Sequence, residues 1–153
     1  MNYSFELSCS KDKFFHVLTD YQNLVEYMPR QLQKIEILEK QDKHTIIEST
    51  IFLRSVIKKQ FSQRLKIHVE SENRILLEIL DGIAKGTQST ISIILDDEKT
   101  VCNINTNVKL SLKATILYPI IKKEYAGFLT KISKKIMGNI NEKKNEKYYQ
   151  LEK

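Results

Sequence analysis

A chain of 153 residues, 41% hydrophobic and 29% charged, suits one globular domain with its own core. Its purely apolar runs last only a few residues, far short of the roughly 20 that a membrane-spanning helix needs, and the N-terminus "MNYSFELSCSKDKFF" lacks a signal peptide's basic-then-apolar layout. An intracellular, cytoplasmic protein is therefore expected, and the formal net charge of +6 leaves an anionic partner open.

"YSFELS" alternates Tyr3, Phe5 and Leu7 with polar neighbours and reads as a half-buried strand. Ser10 offers a helix N-cap, Asp12 suits the first turn, and Phe14, Val17, Leu18 and Tyr21 recur at helical spacing. A second short helix is expected over Gln22 to Tyr27, closed by Pro29, which disfavours helical angles at Met28.

From Leu32 to Leu112 the period becomes two. "KIEILEKQ" and "HTIIESTIFL" are strands about the turn Gln41-Asp42-Lys43. In "KQFSQRLKIHVE", Phe61, Leu65, Ile67 and Val69 face one way, with Gln60, Ser62, Arg64, Lys66 and His68 opposite. "RILLEIL" and "TQSTISIIL" follow, separated by "LDGIAKGTQS", which holds two of the four glycines. The last strand, "TVCNINTNVKLSL", places Cys102, Ile104, Thr106, Val108, Leu110 and Leu112 on one face. Short turns between consecutive strands imply an antiparallel meander, apolar on one side and wet on the other. The cover comes from residues 119 to 140, a helix of about 33 Å with Pro119 in its first turn. Its apolar stripe includes Tyr125, Phe128, Leu129, Ile132, Ile136 and Ile140. Residues 141 to 153 lack an apolar period and read as a frayed helix or polar tail, leaving one domain over residues 1 to 140.

The chemistry-bearing residues form no catalytic constellation. Cys9 and Cys102 match no metal or redox spacing and read as buried thiols. His16, His44 and His68 have no partners at metal-ligand spacing, so no metal is expected. "GIAKG" lacks the third glycine and the Ser/Thr of a phosphate loop, and a strand follows it instead of a helix, so no nucleotide cofactor is expected. The glycines there read chiefly as a hairpin or bulge device that shapes the sheet. Glu48, Gln63, Arg64 and Tyr125 are the polar candidates bordering an interior, and Arg64 shares parity with the solvent-facing His68.

This order of elements, with "VLTDYQNLVEYMP" and "DGIAKGTQSTISI" as its most specific segments, resembles the START-like (SRPBCC) superfamily. The segment from aspartate to proline is similar to the polyketide cyclase/dehydrase and coenzyme Q-binding branch, although the tryptophans common there are missing. The resemblance implies an α+β helix-grip fold, with a curved antiparallel sheet around the C-terminal helix and a cavity between them for a lipid, quinone or polyketide-like molecule. On that reading Tyr27, Met28, Phe52, Phe61, Leu65 and Ile67 line the cavity from one side. Ile104, Tyr125, Phe128, Leu129 and Ile132 line it from the other, and Ile83 and Lys85 form a portal. Non-catalytic binding or transport of that small hydrophobic molecule is the leading reading. The alternatives are a cyclase/aromatase-like enzyme and an interaction module that meets a ribosome or an anionic membrane through the basic stretch Lys131 to Lys147. No DNA partner is expected.

Overall fold

Ser10 caps the first helix, its hydroxyl accepting from the Lys13 N–H at 3.5 Å, and Asp12 sits in the first turn as the helix dipole favours. The computed structural model to which this helix belongs describes residues 1–27, 32–53 and 59–151, apart from the side chains of 53, 59, 61 and 143–151. Helix α1 (Lys11–Thr19) buries Phe14 and leads into a 3-10 helix, Tyr21–Tyr27, which buries Tyr21. The strands are β1 (Asn2–Glu6), β2 (Leu32–Lys40), β3 (His44–Leu53), β4 (Lys59–Ser71), β5 (Arg74–Ile79), β6 (Gln88–Asp96) and β7 (Lys99–Asn107). A second 3-10 helix, Leu112–Leu117, precedes α2 (Tyr118–Leu151).

The seven strands form one sheet in the order β1-β7-β6-β5-β4-β3-β2, every neighbour antiparallel. Pairing is sequential through the meander, and β1 returns to close against β7 through Tyr3↔Ile104 and Phe5↔Cys102. Bulges in β2 and near the end of β4 interrupt the register, as strands that bend require. With α2 laid on the apolar face, this is the α+β helix-grip architecture.

Several expectations meet a correction here. The alternation read through Leu112 stops at Asn107, because β6 begins at Gln88, the partner of Asn107, and offers no backbone beyond it. Thr87 takes over: its hydroxyl accepts from the Lys109 N–H at 2.9 Å and donates to the Lys109 carbonyl at 3.1 Å. Leu112 is consequently 96% exposed on the second 3-10 helix instead of facing the core. The C-terminal helix does not stop at 140 but continues to Leu151. Pro29 and Met28 lie outside the described residues. Among the described residues, no helix is long and apolar enough to cross a membrane.

The glycine loop is built by backbone angles only glycine adopts freely. Gly82 and Gly86 have φ of +81° and +87°. Gly86 donates to the Ile79 carbonyl at 2.8 Å, while Ile79 donates to the Thr87 carbonyl at 2.9 Å, which closes the loop. A Cβ on Gly86 would stand 3.3 Å from Cδ of Lys109. Gly86→Val is therefore expected to cost about 1–3 kcal/mol in urea denaturation, whereas Lys85→Ala at its exposed position changes stability by less than about 0.5 kcal/mol. A stable Gly86→Val variant, or an unfolded Lys85→Ala variant, contradicts this assignment.

Candidate ligand-binding site

The inner face of the sheet reads as cross-strand rows. Tyr3, Ile104, Ile91, Ile75 and Val69 form one apolar row. The next runs Thr106, Ser89, Leu77, Ile67 and Thr45, apolar in the middle with hydroxyls toward both ends. Ile79, Leu65, Ile47 and Ile37 form the third, and Gln63, Ser49 and Ile35 the fourth. No described position in these rows carries a charge.

The apolar side chains do not fuse into one core. One buried cluster joins Ile93, Cys102 and Ile104 to Leu129, Ile136 and Ile140 of α2, with Phe14 and Leu7. A second joins Ile47, Ile67 and Ile75 to Tyr21 of the first 3-10 helix. Ile91, Phe15, Leu18 and Leu24 touch both. Leu65 and Leu77, beside the second cluster, Ile91, which touches both, and Ile79 are only half-buried, although they point inward with the buried Ile67 and Ile75. Half-buried Tyr125 and Phe128 of α2 pack against the first cluster. An apolar strip left partly open on the inner face can receive an apolar molecule.

Tyr125 also brings a polar group there. Its hydroxyl lies 2.7 Å from Thr106 Oγ1 and 3.4 Å from Ser89 Oγ, and Ser89 and Thr106 are 2.8 Å apart. Three hydroxyls own three protons and make three contacts with one another, so the trio can close on itself, with the 3.4 Å Ser89–Tyr125 contact as its longest link. At the other end of the row Tyr21 is hydrogen-bonded to Thr45; burial pushes the Tyr21 hydroxyl pKa up, and that bond opposes the shift. Ser49 Oγ is buried without a partner among the described residues.

The other expected residues divide. Leu65, Ile67 and Ile104 occupy inner-face rows, while Leu129 and Ile132 pack in the α2 cluster. Phe52 pairs with Gln60, which places it on the opposite face, one residue out of phase with inward Ile51. Only the backbone of Phe61, opposite Ile51, is described. Tyr27 packs against the α2 cluster and lines an open cleft of about 470 Å³ with Glu26, Lys134, Lys135 and Glu142, outside the strip. Burial, then Glu26 and Asp20, push its hydroxyl pKa up. Ile83 and Lys85 are exposed in the glycine loop.

Two polar candidates, Glu48 and Arg64, lie outside the interior. Glu48 pairs across the sheet with Glu36 and Arg64, on the outer face. Arg64 binds Asp81 through Nε at 2.7 Å, and this bond holds the guanidinium pKa up. The Asp81 carboxyl is held down by hydrogen bonds from the Arg64 backbone and side chain. Gln63 stays inward, opposite Ser49.

Register also joins residues that the sequence left apart. His44 and His68 stack across β3 and β4 with ring centroids 4.3 Å apart, and their Nδ1 atoms are 3.2 Å apart. Desolvation, followed by His68, Lys66 and Lys43, lowers the His44 pKa. The pair sits on the outer face, and among the described residues no group of three or more His, Cys, Asp or Glu is placed to hold a metal. Ser89 and Thr106 were missed as site residues, although each shares parity with inward isoleucines.

With this geometry established, the comparisons are informative. No protein-family model and no curated protein matches the chain. Solved structures do. A START superfamily protein from Mycobacterium smegmatis superposes with a TM-score of 0.72 at 15% identity, over 93% of this chain and 97% of that one. The di-domain ARO/CYC StfQ from the steffimycin biosynthetic pathway gives 0.79 at 8% identity, over 95% of this chain and 52% of that one, about half its length. Norcoclaurine synthase from Thalictrum flavum, in complex with dopamine and hydroxybenzaldehyde, gives 0.70 at 17% identity, over 93% and 86%. The fold is that of the START-like (SRPBCC) superfamily. Identities this low carry the fold and nothing finer.

Cys102 is fully buried, and desolvation pushes its thiol up to about 12 from 9.0. Its folded pKa is raised, so the stability it contributes is present below pH 9 and is lost as pH rises toward 12, where the unfolded chain sheds the proton first. Thiol labelling of the native protein at pH 8 is expected to modify half-buried Cys9 and to reach Cys102 only in denaturant. Equal labelling rates contradict the buried assignment.

Proposed function

We propose that the protein binds, without transforming it, a small and mostly apolar molecule carrying a hydroxyl or carbonyl oxygen. The observation that carries this reading is the half-buried inner-face strip Leu65, Leu77, Ile79 and Ile91, which adjoins the Ser89–Thr106–Tyr125 hydroxyls through Leu77, the cross-strand partner of Ser89. The strip supplies the hydrophobic contact, and the O–H of the long 3.4 Å Ser89–Tyr125 contact is the one that turns to the oxygen and sets its orientation. Quinones, polyketide-like phenols and hydroxylated lipids have this chemistry. Two fold neighbours support the ligand class: one is described as an aromatase/cyclase, and the other holds dopamine and hydroxybenzaldehyde.

A cyclase-like reading remains the alternative, since enzymes share the fold. Proton transfer needs a group that changes charge near the working pH. The described inner-face rows offer Tyr3, with Tyr21 and Tyr125 beside them, and no carboxylate, histidine or amine. That inventory favours holding a molecule over remaking it.

The test compares 1-naphthol with naphthalene by fluorescence titration. Both are expected to bind saturably, with 1-naphthol tighter by up to about tenfold for one hydrogen bond. Tyr125→Phe combined with Thr106→Val should erase that preference while naphthalene still binds. Leu77→Trp, which fills the strip, should abolish both with the fold intact by circular dichroism. Unsaturable binding, or binding indifferent to Leu77→Trp, defeats the reading.

A further inference from the structure

The second 3-10 helix turns two of its large apolar side chains, Leu112 and Ile116, outward, while Leu117 is half-buried. Ala114, the smallest, is buried at 4% exposure, whereas Leu112 and Ile116 are exposed at 96% and 82%. Tyr118, where α2 begins, is 38% exposed. The glycine loop lies alongside, because the Ser111 N–H donates to the Ile83 carbonyl at 2.9 Å, and the Ile83 side chain is 36% exposed. Thr87 grips both backbone groups of Lys109, so the loop and the 3-10 segment form one tied rim.

Unpaired charge around this rim is basic. Between Asn107 and Glu124 the chain carries Lys109, Lys113, Lys122 and Lys123 and no carboxylate. Lys85 adds a fifth cation from the glycine loop, where the carboxylate of Asp81 is already bonded to Arg64. All five lysines are exposed, and none forms an ion pair with the described residues. Leu95 makes the contrast: it is 77% exposed, but it stands beside Asp96, Asp97 and Glu98. Exposed leucine alone marks nothing, whereas exposed leucine and isoleucine within a basic field match a surface that is apolar beneath and anionic above.

We infer that this rim docks on an anionic lipid bilayer, with Leu112 and Ile116 entering the headgroup–acyl boundary and the lysines meeting lipid phosphates and carboxylates. The surface differs from the basic Lys131–Lys147 stretch of α2, and the inference does not rest on the interior ligand reading.

Vesicle sedimentation tests it, with phosphatidylcholine alone compared with phosphatidylcholine containing phosphatidylserine. The protein is expected on the anionic vesicles and not on the neutral ones. Binding should fall about tenfold or more when salt rises from about 0.05 M to about 0.5 M, and similarly in the Leu112→Asp, Ile116→Asp double variant. Leu95→Asp should bind as the parent does, and so should Leu77→Trp, which separates this result from the fate of the interior site. If the double variant fails to fold by thermal melt, Lys113→Glu with Lys122→Glu and Lys123→Glu decides the matter by charge alone. Equal binding to both vesicle types, or unchanged binding in the folded variants, overturns the inference. So does a dimer in sedimentation velocity that the double variant dissolves, because a second copy would then be the occupant.

Discussion

One helix must cover the inner face of seven strands, and it cannot reach all of them. Helix α2 closes the β1–β7–β6 side through Leu129, Ile136 and Ile140. The β3–β4–β5 side closes on Tyr21 instead, supplied by the 3-10 helix after α1. Two lids on one sheet leave part of its inner face half-covered, a seam that runs from Ile91, in contact with both clusters, over Leu77 and Ile79 to Leu65. Its partial exposure follows from covering a broad sheet with a narrow cylinder, about 10 Å across.

Polar side chains regulate how that seam is bounded. Tyr125 ties α2 to β7 through Thr106, so the helix is held by a directional bond as well as by packing. Thr45 and Tyr21 do the same on the far side. A hydroxyl at each border of an otherwise apolar row is economical chemistry for a ligand that is mostly hydrocarbon with an oxygen. The outer face works differently: the Arg64–Asp81 pair and the stacked His44 and His68 stand in solvent or at its edge, where charge costs little.

Local pattern made much of this legible. Tyr3, Phe5 and Leu7, the alternation from Leu65 to Val69, the Ser10 cap and the α2 stripe each express a local pattern that burial or capping enforces; they gave an antiparallel meander covered by one helix, and the resemblance to the START-like superfamily implied the helix-grip architecture. The glycine turn was legible because only a positive φ explains spending two scarce glycines there. What escaped depended on partners. Asn107 ends β7 because β6 runs out, which no property of "VKLSL" announces. Phe52 looked like a wall residue by hydrophobicity, but the register with β4 turns it outward. His44 and His68 are 24 positions apart and meet only through that same register. Ser89 and Thr106 were overlooked because small hydroxyl residues on a strand resemble solvent-facing ones until their isoleucine-matched parity is counted.

Two regions are proposed to do different work: a half-open seam for an oxygenated apolar molecule, and a basic rim with outward leucine and isoleucine for an anionic bilayer. The seam is the central claim, and methyl-resolved NMR tests it most directly. During a titration with 1-naphthol, the methyl groups of Leu65, Leu77, Ile79 and Ile91 should shift together and saturate, while those of Ile136 and Ile140 stay fixed in their closed cluster. Shifts confined to the exposed Leu112 and Ile116, or spread evenly over both clusters, would contradict a binding seam between two lids.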